Sequence, residues 1–120
     1  MPQKHNKVAL VTGAGIGIGR AAAKALLKGG YQIVLTGRNL ERLKKAITDI
    51  GGTNENCLAV ACDVGKPEQV KALFAALQDR FGRIDVLFNN AGIGAPAIPM
   101  EDLTYEQWMN VVNANLCGAF

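Results

Sequence analysis

The sequence predicts an α/β protein with a doubly wound parallel sheet. Short apolar or β-branched runs recur at residues 8–11, 32–35, 57–61 and 85–89, and a segment with helical spacing follows each of them. Strands that alternate with helices in this way form a parallel sheet covered by helices on both faces. With 49% apolar and 19% charged residues, the 120-residue chain has the composition of one ordinary globular domain.

The first three helices are predicted from their ends and their apolar spacing. The first, over residues 17–28, is rich in alanine and can lie close to the sheet, and Gly29 and Gly30 provide its stop. The second begins near Asn39, a candidate N-cap, and the third begins at Pro67. The side chains at helical spacing that we expect in the core are Leu40, Leu43, Ile47 and Ile50 in the second helix and Val70, Leu73, Phe74, Leu77 and Phe81 in the third.

The fourth helix has a well-specified start and no specified end. Thr104 and Gln107 have the spacing of a capping box, and Leu103 and Trp108 have that of a hydrophobic staple. The helical pattern is still running when the sequence stops at Phe120. A sheet of four strands exposes an edge and an apolar helix face that later elements normally cover. We therefore expect residues 1–120 to be one incomplete domain, truncated after about four βα units.

A glycine-rich turn, TGAGIGIG, follows the first strand over residues 12–19. A helix N-terminus presents unpaired N–H groups and the positive end of the helix dipole, and glycines let a pyrophosphate approach that backbone. The turn does not fit G-x-G-x-x-G, because the sixth position falls on Ile18 or on Arg20, and it does not fit the P-loop pattern. Taken alone, it indicates either a dinucleotide site or a tight connection without a ligand.

The turn does fit T-G-x-x-x-G-x-G, through Thr12, Gly13, Gly17 and Gly19, and here the sequence resembles the classical short-chain dehydrogenase/reductase family. The resemblance extends over residues 8–120, which correspond to the N-terminal half of the family. It implies a Rossmann-type fold that binds a nicotinamide dinucleotide. The cofactor-binding residues that it implies are Gly13, Gly15, Ile16, Gly17, Ile18, Gly19, Arg38, Asp63, Val64, Asn90, Ala91 and Gly92.

Two other motifs near strand ends carry the resemblance. Residues 89–92, N-N-A-G, match a family motif at the end of the fourth strand. The first and fourth strands of a doubly wound sheet are neighbours where ligands bind, so this motif and the glycine turn are expected to converge. Asp63, followed by Val64, matches a family position near the adenine amino group, although an Asp at a strand end is also a common cap.

The end of the second strand bears on which cofactor is bound. NAD-selective sites commonly place Asp or Glu there, where the carboxylate accepts hydrogen bonds from the ribose 2′-OH. Residues 36–39 read T-G-R-N, and no carboxylate follows until Glu41. Because the Arg38 guanidinium can pair with a 2′-phosphate, we predict NADP(H). The alternative is NAD(H), with Arg38 stacked on adenine or solvated.

Residues 108–120 are similar to the family's fourth-helix segment and place Asn115 at its catalytic asparagine, with Asn110 and Asn113 as alternatives. The resemblance implies hydride transfer between the nicotinamide and a carbonyl or alcohol carbon. It implies a Tyr as acid/base, a Lys that lowers the pKa of the Tyr, and a Ser that orients the oxygen. The asparagine is expected to hold a water in the proton relay.

The family's Y-x-x-x-K motif is absent, because Leu35 follows Tyr31 and Met109 follows Tyr105 at the lysine position. We expect both tyrosines to be packing residues. The catalytic Ser, Tyr and Lys are therefore expected outside this chain, and the 120-residue chain is expected to show no turnover by itself.

Two other classes of function compete with this interpretation. A methyltransferase that binds S-adenosylmethionine also uses G-x-G-x-G, which Gly13, Gly15 and Gly17 satisfy. Such a site usually needs an acid after the second strand, and it leaves residues 89–92 unexplained. A non-enzymatic sensor that kept the dinucleotide site shares every feature of this chain.

Charge, cysteines and termini limit the partners. The net charge of +3 is scattered, which argues against nucleic-acid or membrane partners. The partner that the family resemblance implies is a small-molecule carbonyl or alcohol substrate. Cys57, Cys62 and Cys117 lack C-x-x-C spacing and are expected to be small buried residues, with no metal site. We expect a cytoplasmic location, because no secretory signal or membrane-length apolar run is present. We expect His5 to be solvated, because it lies in a polar tail. The resemblance implies a homodimer or homotetramer of the full-length form.

Overall fold

The computed structural model describes residues 6–120, so the expectation for His5 lies outside the described residues. Four strands form one parallel sheet in the order β3-β2-β1-β4. They are β1 (Val8–Thr12), β2 (Gln32–Gly37), β3 (Cys57–Ala61) and β4 (Val86–Phe88). The predicted α/β class and parallel sheet are confirmed.

The strand order reverses beside β1. The chain moves outward from β1 to β2 and β3, and it then returns to the other side of β1 to form β4. β1 pairs with β2 from Val8 opposite Gln32 onward, and with β4 from Ala9 opposite Val86 onward. This reversal places a crevice outside the carboxyl ends of β1 and β4, as predicted for a doubly wound sheet.

Helices connect the strands and follow the last one. They are α1 (Gly17–Lys28), α2 (Leu40–Asp49), α3 (Pro67–Phe81) and α4 (Tyr105–Val111), with a 3-10 turn at Met100–Asp102 and a π-helix at Val112–Cys117. Asn39 caps α2 by accepting the N–H of Arg42, and Thr104 and Gln107 form both bonds of the capping box of α4. The predicted helix starts are therefore confirmed.

The core lies on both faces of the sheet. On one face, β1 and β2 pack against α1 and α2 through residues such as Ala23 and Leu43. On the other face, the sheet packs against Leu73 and Leu77 of α3. All five residues of β1 are buried, which is why this strand is almost wholly apolar.

Four side chains that we expected to be packed or buried are exposed, so these predictions are wrong. Leu40 is 36% exposed and Phe74 is 41% exposed, because the sheet is contacted by the neighbouring helical positions Leu43 and Leu73 instead. Tyr105, in α4, and Cys117, in the π-helix that follows it, are also exposed, because neither helix contributes a buried residue. Tyr31, by contrast, packs against the core as expected.

The fourth helix ends earlier than its pattern predicts. α4 keeps α-helical bonds to Val111, the π-helix then runs to Cys117, and the chain turns at Gly118 and Ala119. π-helices are rare and occur often at functional sites. Within residues 6–120, no helix is long and apolar enough to cross a membrane.

Asp85 fastens the amino end of β1 to the segment before β4. Its Oδ2 accepts the N–H of Val8 at 2.9 Å, and its two oxygens accept Nε and Nη2 of Arg83 at 2.8 and 2.6 Å. Because the Arg83 hydrogen bonds and then the Val8 N–H favour the carboxylate, they lower the pKa of Asp85. This contact therefore depends on pH.

We expect Asp85→Asn to destabilise the protein at neutral pH and much less in acid. The folded-state pKa of Asp85 is lowered, so its contribution is present above the unfolded pKa of about 3.9 and is lost as the pH falls through the folded pKa. Urea unfolding at about pH 7 and about pH 3 measures the difference. Asp79→Asn, at an exposed carboxylate on α3, is the control. An equal cost of Asp85→Asn at both pH values would contradict the prediction.

Candidate functional site

The turn between β1 and α1, residues 12–19, ends in a helix N-terminus without a side-chain cap. Ile16 is the N-cap residue, and its side chain accepts no hydrogen bond from the first turn of α1. Gly13 and Gly17 have φ values of 62° and 58°, in the left-handed region that favours glycine. A Cβ on Gly17 would meet nothing within 4 Å, so this backbone faces open space. The first-turn N–H groups are therefore placed to bind an anion.

Gly19 serves packing. A Cβ on Gly19 would overlap the carbonyl oxygen of Gly13 and would lie 2.8 Å from Nδ2 of Asn90. Only a residue without a side chain lets α1 pass this close to the turn and to the loop after β4. This packing contact fixes the shape of the turn, and the cofactor-binding role expected for Gly19 stays a prediction.

Thr12 and Asn90 join the ends of β1 and β4. Oγ1 of Thr12 accepts the N–H groups of Asn90 and Ala91, each at 2.8 Å. Nδ2 of Asn90 in turn donates to the carbonyl oxygens of Thr12 at 3.2 Å and Gly13 at 3.4 Å. The two motifs that the sequence predicts to converge do meet, and Asn90 connects the strands directly.

A crevice of about 780 Å³ opens at this edge of the sheet, a volume within the range of ligand sites. Eleven of the twelve predicted cofactor-binding residues line it, and they are Gly13, Gly15, Ile16, Gly17, Ile18, Arg38, Asp63, Val64, Asn90, Ala91 and Gly92. Gly19 does not line the crevice. That these residues bind a cofactor stays a prediction.

Seven other residues also line the crevice, although the sequence did not indicate them as cofactor-binding: Gly37, Asn39, Arg42, Leu43, Cys62, Ile93 and Ala114. Arg42 is the charged one among them. The sequence carried a signal for Arg42, because it lies in the first turn of a helix that begins at the edge where the ligand is expected. Leu43 follows Arg42, and each of the other five is adjacent in sequence to a residue that the motifs identify.

The ends of β2 and β3 form one side of the crevice. The N–H of Cys62 donates to the carbonyl oxygen of Gly37 at 2.8 Å. Oδ1 of Asp63 accepts the N–H of Gly65 at 2.9 Å, so this carboxylate caps its own loop while it also lines the crevice. Burial raises the pKa of the Cys62 thiol, which favours its neutral form. Arg38 is exposed, and no ion pair within residues 6–120 includes it.

Asn115 holds the loop after β4. Its Nδ2 donates to the carbonyl oxygen of Ile93, and its Oδ1 accepts the N–H of the same residue, both at 2.8 Å. A Cβ on Gly92 would lie 2.9 Å from Oδ1 of Asn115, so this approach needs a glycine. Asn115 does not line the crevice but supports Ile93, which does. Its catalytic role stays a prediction.

The π-helix and the turn after it contact two loops of the crevice. A Cβ on Gly118 would lie 2.6 Å from Cγ2 of Val64, in the loop after β3. Nδ2 of Asn89, in the loop after β4, donates to the carbonyl oxygen of Ala119 at 2.6 Å. This segment therefore sets the position of both loops. Across the described chain, no three His, Cys, Asp or Glu side chains group together as metal ligands would.

The fold and the crevice are those of a Rossmann-type α/β protein. Residues 7–120 match the family model described as short chain dehydrogenase, and the chain belongs to this family. The recognition made from four short motifs is thereby confirmed.

Relatives and solved structures agree with this assignment. The chain is 43% identical to a 3beta-hydroxysteroid dehydrogenase of Mediterraneibacter gnavus, covering 100% of this chain and 44% of that protein. It is 36% identical to a cyclohexanol dehydrogenase of Acinetobacter, and the match covers 97% of this chain and 46% of that protein. Among structures, a metagenomic short-chain oxidoreductase in complex with NADP superposes with a TM-score of 0.87 at 34% identity, covering 96% of this chain and 52% of that one.

A 3-ketoacyl-(acyl-carrier-protein) reductase from Brucella melitensis, complexed with NADH, superposes with a TM-score of 0.86 at 38% identity. The match covers 93% of this chain and 45% of that one. This chain therefore spans about half the length of the two relatives and the two structures described above. The similar structures include complexes with both NADP and NADH.

We expect Thr12→Val to cost about 2–4 kcal/mol of unfolding free energy. Valine has the shape of threonine but leaves the N–H groups of Asn90 and Ala91 without their acceptor in a partly buried place. Thr12→Ser is the matched control, because it keeps the hydroxyl, and it should cost less than about 1 kcal/mol. Urea unfolding of the full-length protein measures both. Equal losses for the two variants would show that the hydroxyl contributes nothing.

Proposed function

We propose that this chain is the cofactor-binding part of an oxidoreductase that transfers a hydride between NADP(H) and a carbonyl or alcohol carbon. The observation that carries the proposal is the open, uncapped N-terminus of α1 in a crevice that also contains Arg38. The family membership and the NADP and NADH complexes of similar structures support it. The substrate is proposed only as a class, a small carbonyl or alcohol compound.

The glycine turn fits the diphosphate bridge of a dinucleotide. The positive φ values at Gly13 and Gly17 turn the backbone, and the open space at Gly17 admits a ligand. First-turn N–H groups and the helix dipole stabilise the negative charge of phosphate oxygens there. Ile16 and Ile18, exposed beside these N–H groups, would shield the bound bridge from water.

The other end of the crevice fits an adenosine with a 2′-phosphate. Arg38 follows β2 directly, where NAD-selective proteins commonly carry a carboxylate. Asp63 contributes a carboxylate to the lining of the crevice. It lies after β3, at a different strand end from Arg38, and one of its oxygens already accepts the N–H of Gly65. An unpaired guanidinium favours a phosphate monoester over a hydroxyl, because it makes charge-assisted, bidentate hydrogen bonds. NAD(H) remains the alternative cofactor.

The nicotinamide, when bound, supplies the hydride-accepting or hydride-donating carbon. The residues of this chain contribute binding and position. Asn115 fixes Ile93 and with it the loop that borders the crevice, and we propose that it also belongs to the proton relay of the complete enzyme. The acid/base residues are proposed to come from sequence outside these 120 residues.

We expect Arg38→Asp to weaken NADPH binding by tenfold to a hundredfold and NADH binding by less than about threefold. The aspartate removes the cation and repels the 2′-phosphate, whereas it can accept hydrogen bonds from a 2′-OH. Calorimetric titration of the full-length protein with both cofactors measures the two affinities. Lys44→Asp, on the exposed part of α2, makes the same charge change away from the crevice and should alter neither. Equal weakening of NADPH and NADH would refute the assignment.

Turnover separates an enzyme from a cofactor sensor. We expect the full-length protein to oxidise NADPH in the presence of simple ketones or aldehydes, or to reduce NADP in the presence of alcohols, followed by the absorbance of the reduced nicotinamide. Tight binding of NADPH without turnover across a broad panel would favour the sensor. No binding of either cofactor at millimolar concentration would end the proposal.

A further inference from the structure

A second guanidinium lies in the crevice with Arg38. Arg42 lines the same cavity, together with Gly37, Arg38 and Asn39 at the end of β2. Its position follows from the start of α2, because Arg42 donates its backbone N–H to Oδ1 of Asn39 at 3.1 Å. The backbone of Arg42 is thereby held at the first turn of the helix.

Arg42 is also packed against the glycine turn. A Cβ on Gly15 would lie 3.4 Å from Cβ of Arg42 and 4.0 Å from its carbonyl carbon. The absence of a side chain at Gly15 therefore leaves room for the first turn of α2 beside the N-terminal end of α1. Arg42 therefore lies beside the turn that fits the diphosphate bridge, and it lines the same crevice as Arg38.

Neither arginine is neutralised. In the described part of the chain, ion pairs join Arg20 and Lys45 to Asp49, and Arg83 to Asp85. No ion pair there includes Arg38 or Arg42. Glu41, between them in sequence, is exposed and does not line the crevice. Two guanidinium groups without an ion-pair partner that line one cavity make its potential more positive, which favours a bound anion.

We propose that Arg42 is a second specificity-determining residue, which forms with Arg38 a two-guanidinium subsite for the 2′-phosphate of the adenosine. The inference rests on the proposed function. A phosphate monoester carries about −1.5 to −2 charges near neutral pH and presents three acceptor oxygens, more than one guanidinium fork satisfies. A ribose 2′-OH offers no charge to two cations, so the pair discriminates against NADH.

Calorimetric titration of the full-length protein with NADPH, NADH and adenosine 2′-monophosphate tests the subsite. Arg42→Gln should weaken NADPH and adenosine 2′-monophosphate about tenfold each, and NADH less than about twofold. The affinities of Arg42→Lys for NADPH and adenosine 2′-monophosphate should lie between those of the wild type and of Arg42→Gln, because the ammonium keeps the charge without the planar fork. In Arg38→Gln/Arg42→Gln, the preference for NADPH over NADH should disappear.

Lys44→Gln removes a cation from the same helix outside the crevice and should leave all three affinities unchanged. Thermal unfolding of each variant checks that the fold is retained. Equal weakening of NADPH and NADH by Arg42→Gln, or no weakening of either, would overturn the inference while the wild-type protein still binds NADPH. Failure of the wild-type protein to bind either cofactor would instead overturn the proposed function, and the inference with it.

Discussion

The hydroxyl of Thr12 is the contact on which the rest of the site depends. It accepts two backbone N–H groups from residues almost eighty positions away, at the point where the strand order reverses. β4 has only three residues, and its ladder with β1 covers three positions. So short a ladder does not by itself hold the following loop, and the Thr12 hydroxyl with the Asn90 amide supplies the missing bonds. These bonds fix the loop after β4 relative to the glycine turn after β1, and both line the crevice.

Two kinds of chemical group contribute positive charge to the crevice: backbone N–H groups and guanidinium side chains. At the end of β1 it comes from backbone, since the first turn of α1 lacks a side-chain cap. At the end of β2 it comes from the guanidinium groups of Arg38 and Arg42. The N–H of Ala14 donates to the carbonyl oxygen of Thr36 at 3.1 Å, which ties the glycine turn to β2. The backbone donors are therefore in place before a ligand arrives, and little conformational entropy is lost on binding.

Much of the fold was predictable from the sequence, because the features that define it are local. Three of the four strands begin where the apolar runs predict, and the caps at Asn39 and Thr104 form as their spacing indicates. Capping, glycine conformation and apolar periodicity act over a few residues, so they can be recognised without knowing what lies across the fold. The same locality explains why eleven of the twelve predicted cofactor-binding residues line one crevice, since motifs at strand ends share one sheet edge.

The tertiary structure decided which side chains are buried and which residues contact each other, because both depend on how the helices pack on the sheet. It buried Leu43 and Leu73 while leaving Leu40 and Phe74 exposed, because helical spacing defines a face but not the angle at which that face meets the sheet. It gave Gly19 a packing contact, bound Asn115 to Ile93 and brought Arg42 against the glycine turn. Each of these pairs is separated by more than one element or by a loop whose path no short motif encodes. The sequence by itself determined the strands, the helix starts and the glycine-rich turn after β1. The partners of side chains across the crevice came only from the packing of those elements.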